Sequence, residues 1–168
     1  MHPINEFYLG LRKTERGFDL PTLWNLSPTM IGLQYFYIEW LFPVNQASKW
    51  NKHAPLLLGD DLDFFKQNEE IQQNYLTSFD KIIHYFGIYR EGNTLFISDE
   101  LKVRSYWLRE VGHEEKKISR IIRSLAWCGH LELARNLQKL SIELIKEKGY
   151  LKEGTLTIWQ NILDEYQK

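Results

Sequence analysis

The chain has 168 residues, 43% of them hydrophobic and 14% aromatic, enough for a single domain that buries about 70% of its unfolded surface without staples. Its net charge of -1 excludes a global field that would draw it to nucleic acid or acidic lipid, so any such binding needs a local patch. One cysteine, Cys128, excludes an internal disulfide framework and a multi-thiolate metal site.

The opening "MHPINEFYLGLRKTERG" carries charges throughout and no apolar run of signal-peptide length. No stretch approaches the roughly 18 apolar residues that a membrane-spanning helix requires. With the single cysteine, these features predict a soluble, intracellular chain.

The first clear helix signal is Ser27 followed by Pro28, an N-cap with proline in the first turn. A helix is predicted from there to about Phe42, where Pro43 disfavours continuation. Within it lies "QYFYIEWLFPVN", residues 34–45. Projected on a helix, Ile31, Tyr35, Ile38 and Phe42 form one row, Met30, Leu33, Tyr37 and Leu41 a second, and Phe36 and Trp40 a third. Apolar residues then cover most of the circumference, which predicts a helix buried nearly all round, the centre about which the others pack. A sharper alternative has Tyr37, Glu39 and Trp40 lining a groove for a ligand.

Residues 42–55, bounded by prolines, read as a loop, and residues 60–67, "DDLDFFKQ", as a short helix. Asn68 opens a long helix whose stripe is Ile71, Tyr75, Phe79, Ile82 and Phe86, and Gly87 sits where a helix C′ glycine belongs. Residues 87–100 read as a second loop-like region, with one extended piece near 94–98, "TLFIS". A short helix at 100–109 comes next. The helix after it, 114–128, carries Ile118, Ile121, Ile122 and Leu125 on one face. Residues 131–148 carry Leu133, Leu137, Leu140 and Leu144, and a last helix at about 155–166 presents Trp159, Ile162, Leu163 and Tyr166. The fold class is all-α: a compact single-domain bundle of about six to seven helices around the buried central one.

Four ordered segments resemble the opioid growth factor receptor conserved-region family. "YIEWLFPV", Tyr37 to Val44, is similar to its signature of an aromatic, Ile, an amide residue, Trp-Leu-Phe-Pro and an aliphatic. "NEFYLG" at 5–10 with "GFDLPTLW" at 17–24 resembles the family's opening pattern, and "HYFGI" at 84–88 a Phe-Tyr-Gly-Ile-like element. "HEEKKISRIIRSLAWCG" at 113–129 is similar to a segment met here by His113, Ile118, Ser119, Arg120, Ile121, Ser124, Leu125 and Gly129. The resemblance is strongest over residues 5–150. Three positions depart: Glu39 replaces the amide, Tyr35 stands where a His is common, and Ser119 replaces a Thr. The resemblance implies a non-enzymatic helical module that binds a peptide or another protein.

The residues themselves show no Gly-rich phosphate loop and no nucleophile elbow, and no two of the five histidines stand at the i, i+4 spacing of a zinc face. Asp60, Asp61 and Asp63 read as a helix N-terminus, where carboxylates favour the dipole. No cofactor and no metal are expected, and Cys128 reads as an inert packing residue. The strongest polar feature is the row Lys116, Arg120, Arg123 and Trp127, spaced four, three and four, with Lys117 beside it. It reads as a basic face, solvated or paired with acids, or as a site for an anion, an acidic peptide or nucleic-acid phosphate. The candidate binding residues are therefore Lys116, Arg120, Arg123, Trp127, Tyr37 and Glu39. Two alternatives to the peptide-binding reading stay open: a helical domain that binds nucleic acid or another anion through the basic face, and an enzyme with an unrecognised site.

Overall fold

The computed structural model describes residues 1–47, 51–99, 114–148 and 153–166. Nine α-helices and one two-stranded sheet lie among them, so the chain is mostly helical. It divides into two compact units, Met1–Tyr85 and Phe86–Lys168.

The first unit is built from short helices, the first three of them capped by side chains, and one long one. In α1 (Pro3–Tyr8), Nδ1 of His2 accepts from the Ile4 N–H at 3.1 Å and proline occupies the first turn. In α2 (Leu20–Trp24), Oδ1 of Asp19 accepts from the Thr22 N–H. In α3 (Pro28–Leu33), Ser27 Oγ accepts from the Met30 N–H at 3.2 Å, the cap that the Ser-Pro pair predicts. After α4 (Phe36–Leu41) and α5 (Gly59–Gln67) comes α6 (Glu69–Tyr85), opened by Asn68 Oδ1 accepting from the Ile71 N–H at 3.0 Å.

The continuous helix expected over 28–42 is two helices. Gln34 is extended (φ -107°, ψ 154°), which separates α3 from α4. Tyr37 Oη then donates to the Ile31 carbonyl at 2.8 Å, satisfying an acceptor freed at the end of α3. The break resolves a conflict in the pattern. A single rod with apolar residues on every side needs partners on every side; as built, Tyr37, Ile38, Trp40 and Leu41 are buried while Leu33 stays 75% exposed. Gly32 fits the same geometry, because a Cβ there would lie 2.7 Å from Tyr85 Oη.

The core of this unit is aromatic. Tyr8, Phe65 and Tyr75 pack largely edge to face, with Tyr8–Phe65 and Phe65–Tyr75 centroids each 5.3 Å apart, and Trp40 meets Phe7 at 5.4 Å. Tyr8 Oη donates to the Leu41 carbonyl at 2.5 Å and lies 3.1 Å from Ser78 Oγ, which also accepts from Trp24 Nε1 at 2.8 Å. These bonds join α1, α2 and α4 to α6. The stripe of α6 is buried as its spacing predicts.

In the second unit, residues 88–97 are a hairpin. β1 (Ile88–Glu91) pairs antiparallel with β2 (Thr94–Ile97), Tyr89 opposite Phe96 and Glu91 opposite Thr94. The extended piece near 94–98 is thus half of a sheet whose other half reads as loop in the sequence. Gly92 has φ 63° and Asn93 no positive φ, the pattern of a II′ turn with glycine first. The Asn136 and Asn93 amides tie this tip to the helix over Leu131–Lys148, Asn136 Nδ2 donating to the Asn93 carbonyl and Asn93 Nδ2 to Glu132 Oε2.

Helix α7 (Glu114–Trp127) ends in a Schellman closure, with Gly129 at φ 100° and the His130 N–H reaching the Leu125 carbonyl at 2.7 Å. Then come α8 (Leu131–Lys148) and α9 (Glu153–Asn161), and a 3-10 turn, Asp164–Tyr166, closes what the sequence reads as one helix. The expected isoleucine face of α7 is buried, as are Leu133, Leu137, Leu144, Trp159, Ile162 and Leu163, while Leu140 and Tyr166 are half-buried. Trp159 Nε1 donates to Ser119 Oγ at 3.0 Å, and Cys128 is fully buried. The helix expected at 100–109 lies outside the described residues. No helix among the described residues is long and apolar enough to cross a membrane.

Candidate functional site

The first unit holds a pocket of about 510 Å³ between a loop and the α3–α4 corner. Its rim is Glu15 and Arg16, both exposed. Its half-buried walls include Gln34, Tyr35, Phe36 and Asn51, and its buried members are Thr14, Glu39 and Trp40. The rim loop is shaped by Thr14, whose N–H donates to the Phe18 carbonyl at 2.8 Å and whose Oγ1 accepts from the Phe18 N–H at 3.2 Å. Gly17, at φ 85°, turns the chain between them.

The loop is fastened to α4 by stacking. Phe18 lies parallel to Phe36 with centroids 5.2 Å apart, and the Arg16 guanidinium sits 4.9 Å from the Phe36 ring centre. The break at Gln34 exposes Gln34, Tyr35 and Phe36 to the pocket rather than to a helix neighbour. Glu39 is 7% exposed, and its Oε1 stands 3.5 Å from Asn51 Nδ2. The His53 N–H donates to Asn51 Oδ1 at 3.0 Å, which turns the amide nitrogen toward that carboxylate.

Chemically the described lining combines aromatic surface, two carboxylates and one guanidinium, and contains no Cys, His, Ser or Lys. Among the described residues, no three His, Cys, Asp or Glu side chains are grouped to hold a metal ion.

The residues singled out by sequence fall in different places. Glu39 lies in the pocket. Tyr37 is fully buried outside its lining, its hydroxyl spent on the Ile31 carbonyl. Of the α7 row, Lys116 is exposed, Arg123 and Trp127 are half-buried, and Arg120 is buried at 7% exposure. Lys117 is buried at 1%, and both it and Arg120 are engaged by other groups. Trp127 meets Tyr166 at 6.3 Å, edge to face. Sequence reasoning missed Arg16, Tyr35, Phe36 and Asn51. The glycine after Glu15 and Arg16 marks a turn there, but which wall that turn faces is a long-range fact.

The model of the opioid growth factor receptor conserved region matches residues 20–167. The opioid growth factor receptor of Mus musculus is 25% identical over 151 residues, covering 88% of this chain and 23% of that protein. That of Homo sapiens is 26% identical over 114 residues, covering 66% of this chain and 17% of its own. The Rattus norvegicus receptor is 23% identical over 151 residues, covering 88% and 25%. The chain thus spans a quarter or less of the length of these relatives. No solved structure matches it. The match takes in the α3–α4 signature, the hairpin and all of α7 to α9, and on that extent the chain belongs to the opioid growth factor receptor conserved-region family.

Proposed function

We propose that the chain is an opioid growth factor receptor-like, non-enzymatic module that binds a peptide or a segment of another protein in the pocket at Glu39 and Trp40. The observation that carries this reading is the pocket itself: about 510 Å³, aromatic-walled, with a buried carboxylate and two amide side chains placed to fix a ligand's orientation. The relatives' name supplies the first ligand class to try, a short opioid peptide.

Titration calorimetry with an enkephalin-type peptide tests it. The expected result is saturable binding that Trp40→Phe weakens. No heat with that peptide, nor with a panel of unrelated short peptides at millimolar concentration, would contradict the peptide-binding reading. The anion-binding alternative has less support from side-chain placement, because the α7 row presents one exposed cation, Lys116, rather than a broad positive face.

A further inference from the structure

We propose that this pocket is an ammonium subsite: it takes the positively charged primary amine of its ligand, between the carboxylate of Glu39 and the rings of Tyr35 and Trp40. The inference rests on reading the pocket as the binding site, and adds the chemical group that the site selects.

Three observations carry it. First, among the described lining residues the charges favour a cation, with Glu15 and Glu39 against Arg16. Second, the lining is aromatic where it is not charged. Tyr35, Phe36 and Trp40 offer ring surfaces with negative quadrupoles, and tryptophan is the best of these for a cation. A carboxylate 7% exposed beside such rings attracts an ammonium more strongly than a solvated one, because less water screens it. Third, the chain already places a cation on this wall. The Arg16 guanidinium lies 4.9 Å from the centre of Phe36, at the exposed rim. A ligand amine entering past it meets the same kind of surface deeper in, with a carboxylate added. The Gln34 side-chain carbonyl supplies an acceptor for a remaining N–H group.

A primary ammonium can come from a peptide's N-terminus or from a lysine side chain. Both present the same chemistry to Glu39, and they differ in the carbon skeleton attached to the nitrogen.

The test uses the full chain and nuclear magnetic resonance titration, with benzylamine and benzyl alcohol as probes of equal shape and different charge. Benzylamine is expected to bind about tenfold more tightly than the alcohol, with shifts at residues 34–40. Two rim variants sharpen the reading, since both positions are exposed and leave the core untouched. Arg16→Glu is expected to tighten benzylamine binding about threefold to tenfold, and Glu15→Lys to weaken it by a similar factor, both effects shrinking in high salt. Equal affinity for amine and alcohol overturns the inference, as does a weakening by Arg16→Glu.

A peptide series then separates the sources. A tetrapeptide with a free N-terminus, its N-acetylated form, and an N-acetylated form carrying lysine are compared. Loss of binding on acetylation, restored by lysine, supports the shared ammonium chemistry; loss without restoration assigns the N-terminal amine. Peptides that bind equally with and without an ammonium overturn this inference and leave the peptide-binding reading standing. Benzylamine binding with no peptide binding does the reverse.

Discussion

At the scale of single residues, burial decides what each aromatic does. Trp40 is 8% exposed and packs edge to face on Phe7, so Trp40→Ala removes a large buried ring and should cost about 3–5 kcal/mol. For a chain of this size that lowers the melting temperature by on the order of 10 °C, and a melt within a degree or two of the parent would contradict the packing. Gly32 supports a sharper test. Its missing Cβ leaves room for Tyr85 Oη, so Gly32→Ala should destabilise by about 1–3 kcal/mol, and by less in a Tyr85→Phe background. A double-mutant cycle by urea unfolding measures that coupling, and additivity would contradict the contact. The burial of Trp40 was legible in sequence, because an apolar pattern on every side admits few alternatives. The burial of Lys117 and Arg120 was not. A cation on an amphipathic helix reads as solvated unless its long-range surroundings are known, and those are absent from local spacing. Arg120→Glu reverses a buried charge and is expected to cost several kcal/mol, about 3–5, whereas Lys116→Glu should fall within about 0.5 kcal/mol of the parent. Comparing the two melts checks both placements.

At the scale of elements, caps and stripes were the most readable features. Ser27-Pro28, Asn68 and Gly87 stand where their local chemistry puts them, and the stripes of α6 and α7 are buried. The break at Gln34 was hidden, because no proline marks it, Gly32 lies inside α3 rather than at the break, and the apolar rows run through it without interruption. Strand β1 was hidden for a related reason: "IYRE" is too polar to announce itself, and only its pairing with β2 makes it a strand. The turn joining α7 to α8 carries a pH signature. Burial, and to a smaller extent the charge of Arg90, holds His130 below the usual histidine value of 6.5. The folded state therefore favours neutral His130 and the unfolded state binds more protons. Stability is complete above pH 6.5 and declines as pH falls from there through the lower folded value. Unfolding free energies measured between about pH 5 and 8 should show that slope, and His130→Asn should flatten it.

At the scale of the whole molecule, the family match runs through both compact units, which makes the full chain, rather than either half, the thing to assay. The sequence reading of one domain leads us to expect a single calorimetric transition over the chain, and two separated transitions would contradict it. The pocket was only partly legible at this scale. Glu39 and Trp40 are in the signature that marks the family resemblance, but Arg16 and Asn51 come from loops whose arrival at the same place depends on the fold. The central claim is that this pocket, and not the basic row of α7, receives the ligand. Amide chemical-shift mapping of the full chain during titration with a short amine-bearing peptide tests it most directly. Saturable shifts concentrated at residues 14–16, 34–40 and 51 are the predicted result. Shifts concentrated at Lys116, Arg120, Arg123 and Trp127, with the pocket residues unmoved, would contradict it.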